Sequence, residues 1–154
     1  MVKALKGFTL IETLLVIAIL GILSIALVTR IFNYKRSYIE VTSKKAASDI
    51  EYARSLAMMK QGTTYGVFFD DANDRYTVYA TSTATPVADP QTKQNLIETF
   101  SRWPGVTITG GNFTVEFNQW GSPTTGGGGS VTLTDGTNSK TVTITAGTGK
   151  VSVQ

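Results

Sequence analysis

The chain has no cysteine and no histidine, and only four prolines among its 154 residues. Without cysteine no disulfide can form, and the cysteine count carries no information about redox compartment. Without either residue, Ser-His and Cys-His nucleophilic catalysis and the usual zinc sites are excluded. Carboxylate or lysine chemistry remains formally open, but nothing in the chain assembles it. Charge is also scarce, at 16% of residues, and from Phe8 to Val28 the only charged side chain is Glu12.

What is present begins with a short basic leader carrying Lys3 and Lys6, then Gly7, Phe8-Thr9-Leu10-Ile11-Glu12-Thr13 and an apolar run from Leu14 to Val28. Phe8–Val28 is 21 residues, about 32 Å as a helix and enough to cross a ~30 Å hydrocarbon core. A carboxylate inside such a span costs roughly 2.5–3.5 kcal/mol, so Glu12 needs a partner or a task; the plain alternative is a side chain that snorkels to the near membrane face. A secretory signal peptide is the rival reading of the segment, with Ser24-Ile25-Ala26 as its small-x-small cleavage site. Lys3 and Lys6 on one side and Arg30, Lys35 and Arg36 on the other leave orientation undecided by the positive-inside rule.

Residues 30–60 carry seven Lys/Arg against Glu40, Asp49 and Glu51, whereas residues 61–154 carry five against seven acids. Basic character therefore sits next to the span, where it suits lipid head groups or neighbouring subunits, and the remainder is a poor nucleic-acid footprint. From Arg30 to about Lys60 neither proline nor glycine intervenes, and Ile39, Ala46, Ile50, Ala53 and Ala57 recur at helical period, with Gly62 as the stop. Gly21 is the one weak spot inside the span.

From Tyr65 the period becomes two. Tyr65–Phe69 and Arg75–Thr81 read as a hairpin, and residues 83–92 as a polar connection containing Pro86 and Pro90. Leu96–Phe100 fits either a strand or a helical turn. Val106–Thr109, Asn112–Phe117, Ser130–Thr134, Lys140–Thr145 and Lys150–Gln154 read as strands, with Val131, Leu133, Val142 and Ile144 alternating about Asp135-Gly136-Thr137-Asn138. The fold class is α+β: a long N-terminal helix packed on an antiparallel β head.

The candidate sites in the head all have bland readings. Asp70, Asp71 and Asp74 could offer oxygen ligands to Ca²⁺, but Arg75 stands where another ligand belongs, and an Asp/Asn-rich turn is the better reading. Gly126-Gly127-Gly128-Gly129 and Gly149-Lys150 lack the phosphate-loop pattern, and the four glycines read as a mobile loop. Trp103, Trp120, Tyr76, Tyr79 and Phe113 could stack bases or sugars, but the default for large aromatics is the core. No metal and no cofactor is expected.

Gly7 followed by Phe8-Thr9-Leu10-Ile11-Glu12 and the apolar run resembles the N-terminus of the type IV pilin and type II secretion pseudopilin family. Ala53-Arg54-Ser55-Leu56-Ala57, Phe117 through Gly121 with Pro123, the Thr141–Ile144 strand and Gly149-Lys150-Val151 look like the H-type minor pseudopilins, whose head is two packed antiparallel sheets. The resemblance implies prepilin peptidase cleavage between Gly7 and Phe8, N-methylation of Phe8, and a role for Glu12 in filament assembly by pairing with a neighbour's Phe8 amine. It divides the chain into a leader (1–7), a transmembrane helix (8–28), an amphipathic extension (29–61) and a β-rich head (62–154). It implies a non-enzymatic subunit of a pseudopilus or type IV pilus. That subunit would be held in the bacterial inner membrane with its N-terminus cytoplasmic, and would partner other pilin subunits, the peptidase and lipid. The alternatives are a minor pilin whose head binds DNA or a surface, which the acidic balance of the head disfavours, and a secreted β domain.

Overall fold

The computed structural model describes residues 9–154, excepting the side chains of residues 25–37. The first element is a helix, α1, Leu10–Met59. The chain divides into two compact units, Met1–Tyr34 and Lys35–Gln154.

In the first unit every large apolar side chain from Leu10 to Leu23 is exposed. A helix apolar on all sides in the free chain is stable only when lipid or other helices cover it. Among the described residues no helix is long and apolar enough to cross a membrane. The expected span reaches Val28, and its residues 25–28 lie beyond the side chains described.

In the second unit Ile39, Ala46, Ile50, Ala53 and Ala57 are at most 1% exposed, so the helical stripe read from the sequence is the buried face of α1. Three of those five are alanines, which let the helix backbone approach the sheets closely. The helix ends where Gly62 takes a positive φ of 83°, a conformation that L side chains avoid.

Two antiparallel sheets meet this face. The first contains β1 (Tyr65–Asp70), β2 (Arg75–Ala80), β3 (Ser82–Pro86), β4 (Ile97–Thr99), β6 (Phe113–Phe117) and β7 (Pro123–Thr125), ordered β3-β2-β1-β6-β7 with β4 also on β2. The second is β10-β9-β8-β5, made from β5 (Thr107–Thr109), β8 (Ser130–Thr134), β9 (Ser139–Ile144) and β10 (Val151–Val153). Central β1 pairs Val67 with both Val78 and Val115, and all three are fully buried. In the hairpin β8–β9, Val131 faces Val142, and Leu133 and Ile144 complete an apolar face that alternation required. Phe69, Tyr76 and Phe100 form the aromatic heart of the core, with ring centroids 5.2 and 5.7 Å apart. Each such ring contributes roughly 1.5–3 kcal/mol by burial.

Four expectations change. The connection expected at 83–92 contains strand β3, every residue of which is exposed or half-exposed, so no alternation marked it. Edge position also accommodates Pro86, which lacks an N–H to donate. Leu96–Phe100 resolves into both alternatives, with β4 at Ile97–Thr99 and a 3₁₀ turn at Phe100–Arg102. The glycine run is no mobile loop. The Gly128 N–H donates to Ile144 O at 2.9 Å, and the Ile144 N–H to Gly129 O at 3.0 Å. A Cβ on Gly129 would stand 2.6 Å from the Phe113 ring, so these glycines are packing residues. Finally, Trp120 is not in the core but 76% exposed.

Candidate functional site

The described part of the N-terminal motif starts at Thr9, which immediately precedes the first helical residue. The Glu12 N–H donates to Thr9 O at 3.1 Å and to Thr9 Oγ1 at 3.4 Å, and the Thr13 N–H reaches Thr9 O at 3.2 Å. Thr9 is thus the N-cap and Glu12 the third helical residue, the spacing of a capping box. The Thr9-Leu10-Ile11-Glu12 spacing in the sequence is the signal that marks this helix start. The placement also sets a carboxylate against the positive end of the helix dipole. The Glu12 side chain is exposed and makes no hydrogen bond or ion pair among the described residues. Gly7 and Phe8, the expected cleavage junction and methylation site, lie outside the described residues.

A second cluster joins the helix to both sheets. Glu51 and Arg54 lie one helical turn apart and form an ion pair at 3.1 Å. The Arg54 Nε–H donates to Gly121 O at 2.9 Å, at the approach to β7 in the first sheet. Glu51 Oε1 accepts from the Val151 N–H at 3.1 Å, on β10 of the second sheet. One ion pair thereby holds an edge of each sheet. The close fit explains two glycines: a Cβ on Gly149 would stand 2.5 Å from Gly121 O, and one on Gly121 2.8 Å from Met58 Sδ. The short motifs at 53–57, 117–121 and 149–151, unconnected in sequence, are brought to one place.

Further along the helix, Asp49 is buried and accepts from the Tyr76 hydroxyl and from Lys45 Nζ, both at 2.6 Å. Burial, reinforced by the Asp49 carboxylate, pushes the Tyr76 hydroxyl well above its ordinary pKa. Burial likewise raises Tyr79, whose hydroxyl donates to Glu116 Oε1 at 2.8 Å. Glu40 accepts from Lys44 at 2.9 Å and lies 3.5 Å from Lys140 of β9. The Lys44 hydrogen bond and then the charge of Lys140 hold its carboxyl below the usual range.

The acidic turn is structural. Asp70 accepts from the Asn73 amide and backbone N–H and from Arg75, and Asp74 Oδ1 accepts from the Ile108 N–H. These carboxylates close the β1–β2 turn and tie it to β5, which leaves them committed to the fold. Among the aromatics expected in the core, Tyr76 and Tyr79 are buried and Trp103 and Phe113 half-buried.

The family model described as type II transport protein GspH matches residues 42–148, and that described as the prokaryotic N-terminal methylation motif matches residues 3–28. No curated protein matches the chain. No solved structure matches it either.

Proposed function

Since the chain belongs to the GspH family of type II transport proteins and is a pseudopilin-like subunit, we propose that it assembles through its N-terminal helix into a type II secretion pseudopilus or a type IV pilus. The peptide bond between Gly7 and Phe8 is cut by prepilin peptidase, Phe8 is N-methylated, and the subunit waits in the inner membrane with its head outside the cytoplasm. The role is structural rather than catalytic, and the subunit is a minor one.

The observation that carries this reading is the state of Glu12. An exposed carboxylate without a partner among the described residues sits one turn into a helix whose large apolar side chains are all exposed through Leu23. Moving that helix into an apolar surround would leave a buried, uncompensated charge, and a cation from a neighbouring subunit relieves it. A methylated Phe8 amine at the start of the next helix supplies such a cation. Register follows, because only one axial offset brings the two groups together.

Mass spectrometry of the mature protein tests the processing step. A methyl-Phe8 N-terminus supports it, whereas a chain beginning after Ala26 would indicate signal-peptidase release and abolish the filament reading.

A further inference from the structure

Trp120 stands apart from every other large aromatic in the described chain. It is 76% exposed, yet it sits on a tightly constrained turn. Asn118 Oδ1 accepts from the Trp120 N–H and the Ser122 N–H, each at 3.0 Å. The Asn118 N–H donates to Ser122 O at 3.0 Å, and the Gly121 N–H to Asn118 O at 2.9 Å. Gly121 O is in turn held by Arg54 at 2.9 Å. The backbone presenting the indole is therefore fixed before any ligand arrives. Pre-organisation of this kind lowers the entropy lost on binding.

Beside the indole lies a shallow cavity of about 260 Å³, wide open to solvent and lined by Gly62, Thr63, Thr64, Phe117, Asn118, Gln119 and Trp120. It is too open to enclose a ligand and offers instead a surface on which about one ring could lie. No charged side chain lines it. Among the described residues, the side chains of Thr63, Thr64 and Gln119 make no hydrogen bond within the protein, so two hydroxyls and one amide are free to serve a ligand. Met58 and Met59, also exposed, do not line the cavity.

We propose that Trp120 is a stacking platform for one ring of a neutral polysaccharide, with Thr63, Thr64 and Gln119 reading the ring hydroxyls. A pyranose presents an apolar C–H face that packs on an indole and a rim of hydroxyls that are both donors and acceptors. Hydroxyls and a carboxamide, likewise donors and acceptors, match that rim without imposing a charge. A nucleic-acid strand would bring phosphates, and single-strand grooves meet these with Lys and Arg. The absence of a basic lining thus favours the sugar. The site is independent of filament assembly, so its failure leaves that reading untouched.

The test is a fluorescence titration of the full chain in a zwitterionic detergent that carries no sugar head group. A Trp103→Phe background makes Trp120 the sole indole. Probes are neutral tetrasaccharides of α- and β-linked glucose, β-linked N-acetylglucosamine and β-linked galactose. At least one should shift the emission saturably, with little change between low and high salt. Sugar-proton saturation-transfer NMR on the wild-type indoles should show the same ligand, weakened about tenfold or more by Trp120→Ala, the usual scale for loss of a stacking platform. Trp120 is exposed, so that variant keeps its fold. No saturable response from any probe, or binding undiminished in Trp120→Ala, overturns the site. So does a cross-linker at position 120 that captures a neighbouring subunit while no sugar responds.

Discussion

Tyr76 is 0% exposed, and its hydroxyl satisfies a buried carboxylate, Asp49, that also holds Lys45. Replacing Tyr76 by Phe removes one charge-assisted hydrogen bond but leaves the Lys45 pair, so chemical denaturation should show a loss of about 1–2 kcal/mol. The pH dependence has a definite sign. Tyr76 and Tyr79 both titrate above their ordinary value in the folded protein, because burial disfavours the phenolate. Their neutral forms contribute full stability below the unfolded value of about 10, and that contribution falls as pH rises further, because the unfolded chain then binds fewer protons. Denaturant midpoints measured from neutral pH to above 10 should fall more steeply for wild type than for a Tyr76→Phe/Tyr79→Phe double variant. Parallel curves would show that neither hydroxyl is linked to folding.

Elements are joined in this fold by close approach as much as by apolar mass. Gly66 on β1 pairs with Tyr79 on one side and Glu116 on the other, whose side chains bond to each other across it. A Cβ at Gly66 would stand 2.7 Å from Val115 O and 2.9 Å from both Tyr79 Cζ and Glu116 Cγ. Gly66→Ala should therefore destabilise the first sheet by about 1–3 kcal/mol, the range for overpacking, as read by thermal or chemical unfolding. Arg54 makes a complementary case. Arg54→Ala frees Gly121 O and unpairs Glu51, loosening an edge of each sheet, and should cost about 1.5–3 kcal/mol. Hydrogen exchange should then rise at the Val151 amide, which bonds Glu51, while the β8–β9 hairpin amides stay protected. Unchanged exchange at Val151 would show that the ion pair does not hold the second sheet.

For the molecule as a whole, the place of Glu12 in the first helical turn and its proposed pairing role make different demands. A glutamine keeps the length and polarity of the side chain but not its charge, whereas alanine keeps neither. If charge pairing sets register, both Glu12→Gln and Glu12→Ala insert in the membrane yet fall several-fold in the sheared filament fraction, measured by immunoblot. Wild-type incorporation of Glu12→Gln would show that the Glu12 charge does not set register. Subunits carrying Trp120→Ala should enter filaments normally, since the proposed assembly rests on the N-terminal motif and not on Trp120.

Local pattern determined much of this protein. A 3.6-residue stripe can only bury one helical face, so Ile39, Ala46, Ile50, Ala53 and Ala57 were legible as core. Alternation did the same for Val131, Leu133, Val142 and Ile144. The N-terminal motif was also legible, because Gly7-Phe8, the Glu12 carboxylate and the apolar run are contiguous in the chain. Strand β3 was not, since a strand exposed along its length carries no alternation, and the packing of the four glycines was not, because Gly126 and Gly129 meet Thr114 and Phe113, which local pattern does not connect to them. Only tertiary structure could bring Glu51 and Arg54 to Gly121 and Val151, a junction of three chain segments that no local period encodes. It also decided the fate of Trp120: hydrophobic composition places an indole in the core, but the turn closed by Asn118 and Gly121 holds it in solvent.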